Sequence, residues 1–272
     1  MKLCISTLVC PTWTFDQIVK ACHTYGVNGI DFRGIADEID ITKLPLFTTR
    51  LPETLKVLAR HHLKMPCLNL SATLITTEPD RWNDFLGEVQ RYAQLAHQSQ
   101  TRYLRIFGGR VPQDMSRAFA QDLARRHLKQ LLRITSGLDV RIAWETHDDW
   151  CTSDEMLPVL EHFSPEELGV LWDIEHPFRR GEEPERTAER MKSYICHVHI
   201  KDSERIDNRN FPRLLGEGNL PIVPTLKALK SIGYSGWYCL ETEKRWHSEA
   251  PEPDQSISQF VRFMSTHLSD SD

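Results

Sequence analysis

Hydrophobic positions along the chain alternate between two periods. Short apolar runs rich in β-branched residues are each followed by a longer stretch whose apolar positions recur every three to four residues, the spacing of one helix face. The first run, Met1 to Cys10, reads as a buried strand, and Thr14 or Asp16 opens a helix carrying Ile18, Val19, Ala21, Cys22 and Tyr25 until Gly26 ends it. Strand two is Gly29–Arg33, and the stretch from Gly34 to Phe47 reads as a loop. A helix from about Leu51 to His62 precedes strand three, which begins at Pro66. The helix from Pro79 to His97 shows Trp82, Phe85, Val89, Tyr92 and Leu95 on one face, and strand four follows as Tyr103–Phe107, closed by Gly108 and Gly109. A helix from about Asp114 to Thr135 leads to strand five at Arg141.

The second half repeats the alternation. A helix near Ser153 to His162 precedes strand six, ending at Asp173, and a helix near Pro184 to Lys192 precedes strand seven, reaching Asp202. A Gly-rich loop around Gly216 and Gly218 leads to a helix near Pro221 to Gly233, strand eight to Glu241, and a last helix from Asp254 to His267. Eight strands alternating with eight helices predict an α/β fold, a (β/α)8 TIM barrel, occupying residues 1–272 as one domain. An open doubly wound sheet would need a glycine-rich nucleotide turn after an early strand, and no GxGxxG or P-loop motif is present.

Four of the late strands end in the same way. The runs Arg141-Ile-Ala-Trp-Glu145-Thr-His147, Gly169-Val-Leu-Trp-Asp173-Ile-Glu-His176, Tyr194-Ile-Cys-His-Val-His199-Ile-Lys201-Asp202 and Gly236-Trp-Tyr-Cys-Leu-Glu241 each close on an acid or an imidazole. A strand buried on both faces has no structural use for such a group. The intervals are about one βα unit each, the last enlarged by the loop after Arg205, so Glu145, Asp173, His199 and Glu241 are placed to meet at the carboxyl ends of strands five to eight, where barrels build their sites. A rim salt bridge would explain any one of them, but not four at matching positions.

Three carboxylates and an imidazole form a hard, mostly oxygen set for one divalent metal ion, suited to Mn²⁺, Mg²⁺ or Co²⁺ and compatible with Zn²⁺. Of the two histidines on strand seven, His199 is nearer the mouth, and His197 reads as a core histidine. His147, His176, Lys201 and Arg205 lie just past ligand positions and are candidates to hold substrate oxygens or an anion. Arg105, inside an apolar strand, must face water or an acid, and is read as substrate-binding, with pairing to a barrel carboxylate as the alternative. Arg33 has a similar, weaker case, and Lys244-Arg245 could receive a phosphate or be a solvated loop.

Composition narrows the partners. A net charge of −5 with interspersed signs gives no global field for nucleic acid. No run approaches the roughly 18 apolar residues of a membrane span, so the expected partner is a small-molecule, sugar-like substrate, with no nucleic acid and no membrane. Seven scattered cysteines without a CxxC pair fit reduced thiols and a cytoplasmic location, most of them as small core hydrophobes.

These residues carry a family resemblance over nearly the whole chain. Arg105-Ile-Phe-Gly-Gly109, Glu145-Thr-His147, Asp173-Ile-Glu-His176, His197-Val-His199-Ile-Lys201-Asp202, Gly216-Glu-Gly218 and Glu241 resemble the xylose isomerase-like TIM-barrel superfamily of sugar phosphate isomerases, epimerases and AP endonuclease family 2 proteins. The resemblance implies metal-binding roles for Glu145, Asp173, His199 and Glu241, a substrate-oxygen role for His176, and an epimerase-type substrate role for Arg205; it also suggests a homodimer or homotetramer. Ketose epimerases carry a further glutamate where this chain has Cys151, and Glu145-x-His147, His176, Lys201 and Arg105 together look closer to dehydratase-like members. The endonuclease branch needs histidines on early strands that Asn69 and the Arg105 strand do not supply.

The leading expectation is an isomerase or epimerase that abstracts a proton next to a carbonyl through an enediolate, with Glu145 and Glu241 as catalytic groups moving the proton from opposite sides. His176 and Arg205 would fix hydroxyls, with Arg105, His147 and Lys201 recognising the far end. Two alternatives stand beside it: a dehydroshikimate or inosose dehydratase-like enzyme with His147 or Lys201 as base, and a non-catalytic metal-dependent sugar-binding protein.

Overall fold

The computed structural model describes residues 1–268. In chain order its elements are β1 (Leu3–Ser6), α1 (Phe15–Tyr25), β2 (Gly29–Asp31), α2 (Leu51–Arg60), β3 (Cys67–Thr73), α3 (Pro79–Ser99), β4 (Tyr103–Phe107), α4 (Arg117–Thr135), β5 (Arg141–Glu145), α5 (Ser153–Leu160), β6 (Leu168–Asp173), α6 (Glu175–Arg179), α7 (Pro184–Met191), β7 (Ile195–Ile200), β8 (Asp202–Ile206), β9 (Arg209–Arg213), α8 (Ile222–Ser231), β10 (Tyr238–Leu240) and α9 (Pro253–Leu268). Eight parallel strands, in the order β2-β1-β10-β7-β6-β5-β4-β3, form the nearly closed barrel expected of a (β/α)8 fold, while β8 and β9 pair separately. No described helix is long and apolar enough to cross a membrane.

Contacts divide the chain into two compact units whose boundary falls inside β7, between His197 and Val198. In the first unit β1 is paired on both sides, Cys4 with Gly29 and with Cys239, and β10 continues to β7 with Cys239 opposite His199. Register partners in a parallel sheet share a face. One face therefore carries Cys4, Ser6, Asp31, Cys239, His199 and Glu241, and the other carries Ile5, Ile30, Leu240, Val198 and Ile200. Both faces are buried.

The second unit pairs β3 with β4, β4 with β5 and β5 with β6, so that Asn69, Arg105, Ala143 and Gly169 form one row and Glu145 stands opposite Leu171. The opposite face is apolar, with Leu68, Leu104, Ile142, Trp144, Val170 and Trp172 buried under the helices. Beyond Asn69, the row that Arg105 occupies is completed by the small residues Ala143 and Gly169.

Helix ends follow local chemistry. The Thr14 hydroxyl accepts from the Gln17 N–H and the Gln17 side chain accepts from the Thr14 N–H, a capping box that starts α1; Gly26, at φ +76°, ends it. At the start of α5 the Glu155 carboxylate accepts the Thr152 N–H at 2.9 Å. Helix α4 begins after Ser116, whose hydroxyl accepts from the Phe119 N–H, rather than at Asp114.

Two elements differ from the sequence reading. Directly after Asp173 comes the short helix α6, and where a loop was expected Asp202 to Arg213 form an antiparallel hairpin with Arg205 opposite Asn210. Its two-residue turn, Asp207-Asn208, holds both residues at positive φ, the conformation tight hairpins require. The charged side chains along this ribbon hide it from a search for apolar alternation.

The base of the hairpin is pinned by one carboxylate. Asp202 accepts N–H groups of Gly216 and Gly218 on one oxygen and of Ser203 and Leu220 on the other, at 2.8–3.2 Å. A side chain on Gly218 would collide with that carboxylate, which explains the glycine. Asp202→Asn turns an amide N–H₂ toward donors and should cost roughly 1–3 kcal/mol, read as a lower urea midpoint at unchanged slope. A change below about 0.5 kcal/mol would show that the loop does not depend on this carboxylate.

Candidate functional site

In the second unit the strand-end candidates lie on β5 and β6. Glu145 ends β5 and Asp173 ends β6, both buried. The two strand ends are tied together through Thr146, whose hydroxyl donates to the Asp173 carbonyl and accepts the Asp173 N–H, both at 3.0 Å. The first turn of α6 donates the Glu175 N–H to Asp173 Oδ1 at 2.9 Å. Main-chain geometry thus fixes where the Asp173 carboxylate points.

Arg105 is only 1% exposed. Its Nε lies 3.3 Å from Glu145 Oε2 and donates to Asn69 Oδ1 at 3.3 Å, while its guanidinium sits 3.9 Å from the centroid of the Phe107 ring. Of the two roles the sequence allows, this geometry displays the pairing with a barrel carboxylate: Arg105 holds Glu145 in place.

Above this layer, Phe107, His147 and His176 form a stepped aromatic wall, with ring centroids 4.7 Å and 4.3 Å apart in turn. His176 Nε2 stands 3.9 Å from Asp173 Oδ2. His147 Nδ1 is 3.2 Å from Asp148 Oδ2. Burial lowers the His147 pKa, but Asp148, Glu145 and Asp173 outweigh it and the net shift is upward. The Cys151 thiol donates to the Asp148 carbonyl at 2.8 Å, and burial pushes its pKa up to about 12. It is a prop for the Asp148 loop rather than a nucleophile.

In the first unit the candidates lie on β7 and just after β10. His199, near the end of β7, and Glu241, just after β10, are buried, with His199 Nδ1 3.0 Å from Glu241 Oε2. The Lys201 ammonium lies 2.9 Å from the same Glu241 oxygen and 3.8 Å from Glu243. On the far side of the imidazole, His199 Nε2 is 4.0 Å from Asp31 Oδ2. Asp31 is a buried acid at the end of β2 that the sequence reading passed over, because a single aspartate before Phe32 looks like any strand terminus.

Not every predicted residue joins these groups. Arg205 is exposed on the hairpin, where its guanidinium donates to Asn208 Oδ1 at 3.4 Å. Its place in the chain suggests a site residue, but the ribbon around its turn is exposed on both faces, Ile206 included. Lys244 donates to the Ala250 carbonyl at 2.8 Å and pairs with Glu252, and Arg245 donates to the Ala36 carbonyl, so both tie loops together. Arg33 is buried beyond β2, its N–H donated to Thr7 Oγ1 at 2.9 Å. His197 is fully buried with its ring 6.2 Å from that of Tyr103.

Among the described residues, Glu145, Asp173, His199 and Glu241 make up a group able to hold a metal ion, and Cys4, Asp31, His197 and Cys239 make up another. The first fits a hard divalent cation on charge as well as on donor type. In the second unit Glu145 is buried against the Arg105 guanidinium and Asp173 is buried 3.9 Å from His176 Nε2, and a divalent ion would suit two such acids.

Comparison with known proteins agrees with this architecture. The xylose isomerase-like TIM barrel family matches residues 19–266. An inosose dehydratase of Geobacillus thermodenitrificans is 28% identical over 109 residues, 34% of this chain and 36% of that protein, so the alignment spans about a third of that relative's length. Among solved structures, the IolI protein with a binding zinc atom superposes with a TM-score of 0.83 at 19% identity, over 99% of this chain and 100% of that one. A D-psicose 3-epimerase determined in the presence of D-fructose gives 0.81 at 14% identity, over 99% and 100%. Dehydratases and epimerases thus share the fold.

The Arg105–Glu145 contact yields a direct test. Arg105→Met strips the buried carboxylate of its cationic partner and should destabilise the metal-free protein by about 3–5 kcal/mol in denaturant unfolding. A loss under about 1 kcal/mol would mean that Arg105 does not hold Glu145 and is free for another task.

Proposed function

The chain belongs to the xylose isomerase-like TIM-barrel family, and on that premise we propose that it is a metal-dependent sugar-modifying enzyme acting as a dehydratase on a β-hydroxy ketone of sugar or cyclitol type. Glu145, Asp173, His199 and Glu241 would hold one divalent ion. When bound, that ion polarises the substrate carbonyl and makes the neighbouring C–H acidic.

The observation that carries the choice is the ammonium of Lys201 at 2.9 Å from Glu241. Epimerisation through two carboxylates requires Glu241 to take or give a proton, and here the His199 ring and the Lys201 ammonium already contact the same Glu241 oxygen. The chain offers a better base in His147. Asp148 engages its Nδ1 and fixes the ring, which leaves Nε2 as the nitrogen that exchanges a proton, the arrangement of an acid-backed histidine.

In this reading His147 Nε2 takes the proton from the carbon beside the carbonyl. The electron pair left by the C–H bond forms the new double bond as the C–O bond to the β-hydroxyl breaks, and the His147 imidazolium returns the proton to the departing oxygen, which leaves as water. His176, packed on His147, positions a substrate hydroxyl, and Lys201 pairs with Glu241. The alignment with an inosose dehydratase supports the same class.

Epimerisation is the second reading, favoured by the two buried carboxylates Glu145 and Glu241 at strand ends and by the fold shared with a D-psicose 3-epimerase. A panel of ketoses, inososes and keto acids in D₂O with Mg²⁺ separates the two. Dehydration predicts a product with a new ultraviolet band and a kcat at least about 100-fold lower in His147→Gln at unchanged metal content. Deuterium entering a recovered isomer without such a band, with turnover kept in His147→Gln and lost in Glu241→Gln, would establish epimerisation. Binding without turnover or exchange would leave a sugar-binding protein.

A further inference from the structure

The turn after β10 exposes an aromatic ring that neither the fold nor the proposed reaction uses. Trp246 is 57% exposed. An indole left in water forgoes the large burial that tryptophan otherwise supplies. The ring is nevertheless carried on a braced turn. The Trp246 and His247 N–H groups both donate to the Glu243 carbonyl, at 2.9 and 3.0 Å, and the His247 carbonyl accepts the Ala250 N–H at 3.0 Å. The Arg245 N–H donates to the Leu8 carbonyl at 3.2 Å and its guanidinium to the Ala36 carbonyl, while the Lys244 ammonium donates to the Ala250 carbonyl at 2.8 Å. The chain holds this surface tryptophan at a fixed place.

That place adjoins the candidate groups of the first unit. Trp246 lies just past Glu241, on the segment that leaves the carboxyl end of β10. Glu243, whose carbonyl takes the Trp246 N–H, has its carboxylate 3.8 Å from the Lys201 ammonium, and Lys201 reaches Glu241 at 2.9 Å. The surroundings of the ring select what it meets. Its chain neighbours Lys244, Arg245, His247, Ser248 and Glu249 are all polar, so the apolar patch is one side chain wide, too small for a protein partner that covers about 800 Å². The charges of the turn, Glu243, Lys244, Arg245, Glu249 and Glu252, carry no positive excess that would draw a nucleotide. The Arg245 guanidinium stands 5.7 Å from the indole centroid, and His247 pairs with Glu249 at 3.5 Å. An aromatic face rimmed by hydrogen-bonding side chains suits a sugar ring, whose C–H face stacks on the indole while its hydroxyls meet the rim.

We infer that Trp246 is the platform of an outer sugar subsite: the substrate is a glycoside, with its β-hydroxy ketone ring in the site and a second sugar ring stacked on the indole. The inference rests on the sugar-modifying reading above and adds the substrate class, a two-ring compound rather than a free monosaccharide.

Binding of unreactive sugars tests the subsite apart from the reaction. Glucose, cellobiose, maltose and sucrose are titrated against the full chain and followed by saturation-transfer NMR. At least one disaccharide should bind about 5–10-fold more tightly than glucose. That advantage should vanish in Trp246→Ala, persist in part in Trp246→Tyr, and stay unchanged in Phe119→Ala, which removes the exposed ring of α4. No disaccharide advantage in the unaltered chain, or an advantage that survives Trp246→Ala, would overturn the subsite. Turnover is read separately, on keto-sugars and their glycosides. Turnover without a disaccharide advantage keeps the enzyme and removes the subsite, whereas a Trp246-dependent advantage without turnover supports the subsite and removes the dehydratase.

Discussion

Everything polar in this barrel follows from the cost of burying charge in a parallel sheet. Strands covered on both faces leave a charged side chain only the strand end, or a partner close enough to offset its desolvation. Glu145 and Asp173 take both solutions: they stand at strand ends, and Arg105, Thr146 and the α6 N–H groups are built around them. His199 and Glu241 do the same with Lys201 and Asp31. The reactive residues are therefore held by main-chain and buried contacts rather than by mobile loops, which is the preorganisation a metal centre needs.

That constraint explains what was legible in the sequence. The fold could be read because short apolar runs and period-3.6 stretches alternate along most of the chain, and the four strand-end residues because an acid or imidazole interrupts each late strand at the same place. The hairpin could not be read, since its strands face solvent and carry Glu204, Arg205, Arg209 and Arg213 instead of an apolar alternation. Arg205 stands exposed on that ribbon, and a position counted from His199 takes no account of a hairpin that was not expected.

The roles of Arg105 and Lys201 were hidden more deeply. Sequence shows that a cation stands near the site, but whether it meets substrate or a protein carboxylate depends on angstroms. At 3.3 Å from Glu145 and 2.9 Å from Glu241, both cations act on the protein's own acids. This shifts the chemical reading, because His199 and Lys201 already contact the same Glu241 oxygen and the Asp148-backed His147 becomes the better proton carrier. Asp31 stayed unnoticed because one buried aspartate on an early strand has no pattern of its own; only its approach to His199 gives it meaning.

The central claim, one hard divalent ion held by four strand-end residues, is tested most directly by Mn²⁺ binding followed by electron paramagnetic resonance. The account predicts about one bound Mn²⁺ per chain, with affinity weakened on the order of 100-fold or more in both Asp173→Asn and Glu241→Gln. A chain that binds no Mn²⁺, or whose binding ignores both substitutions, would contradict it.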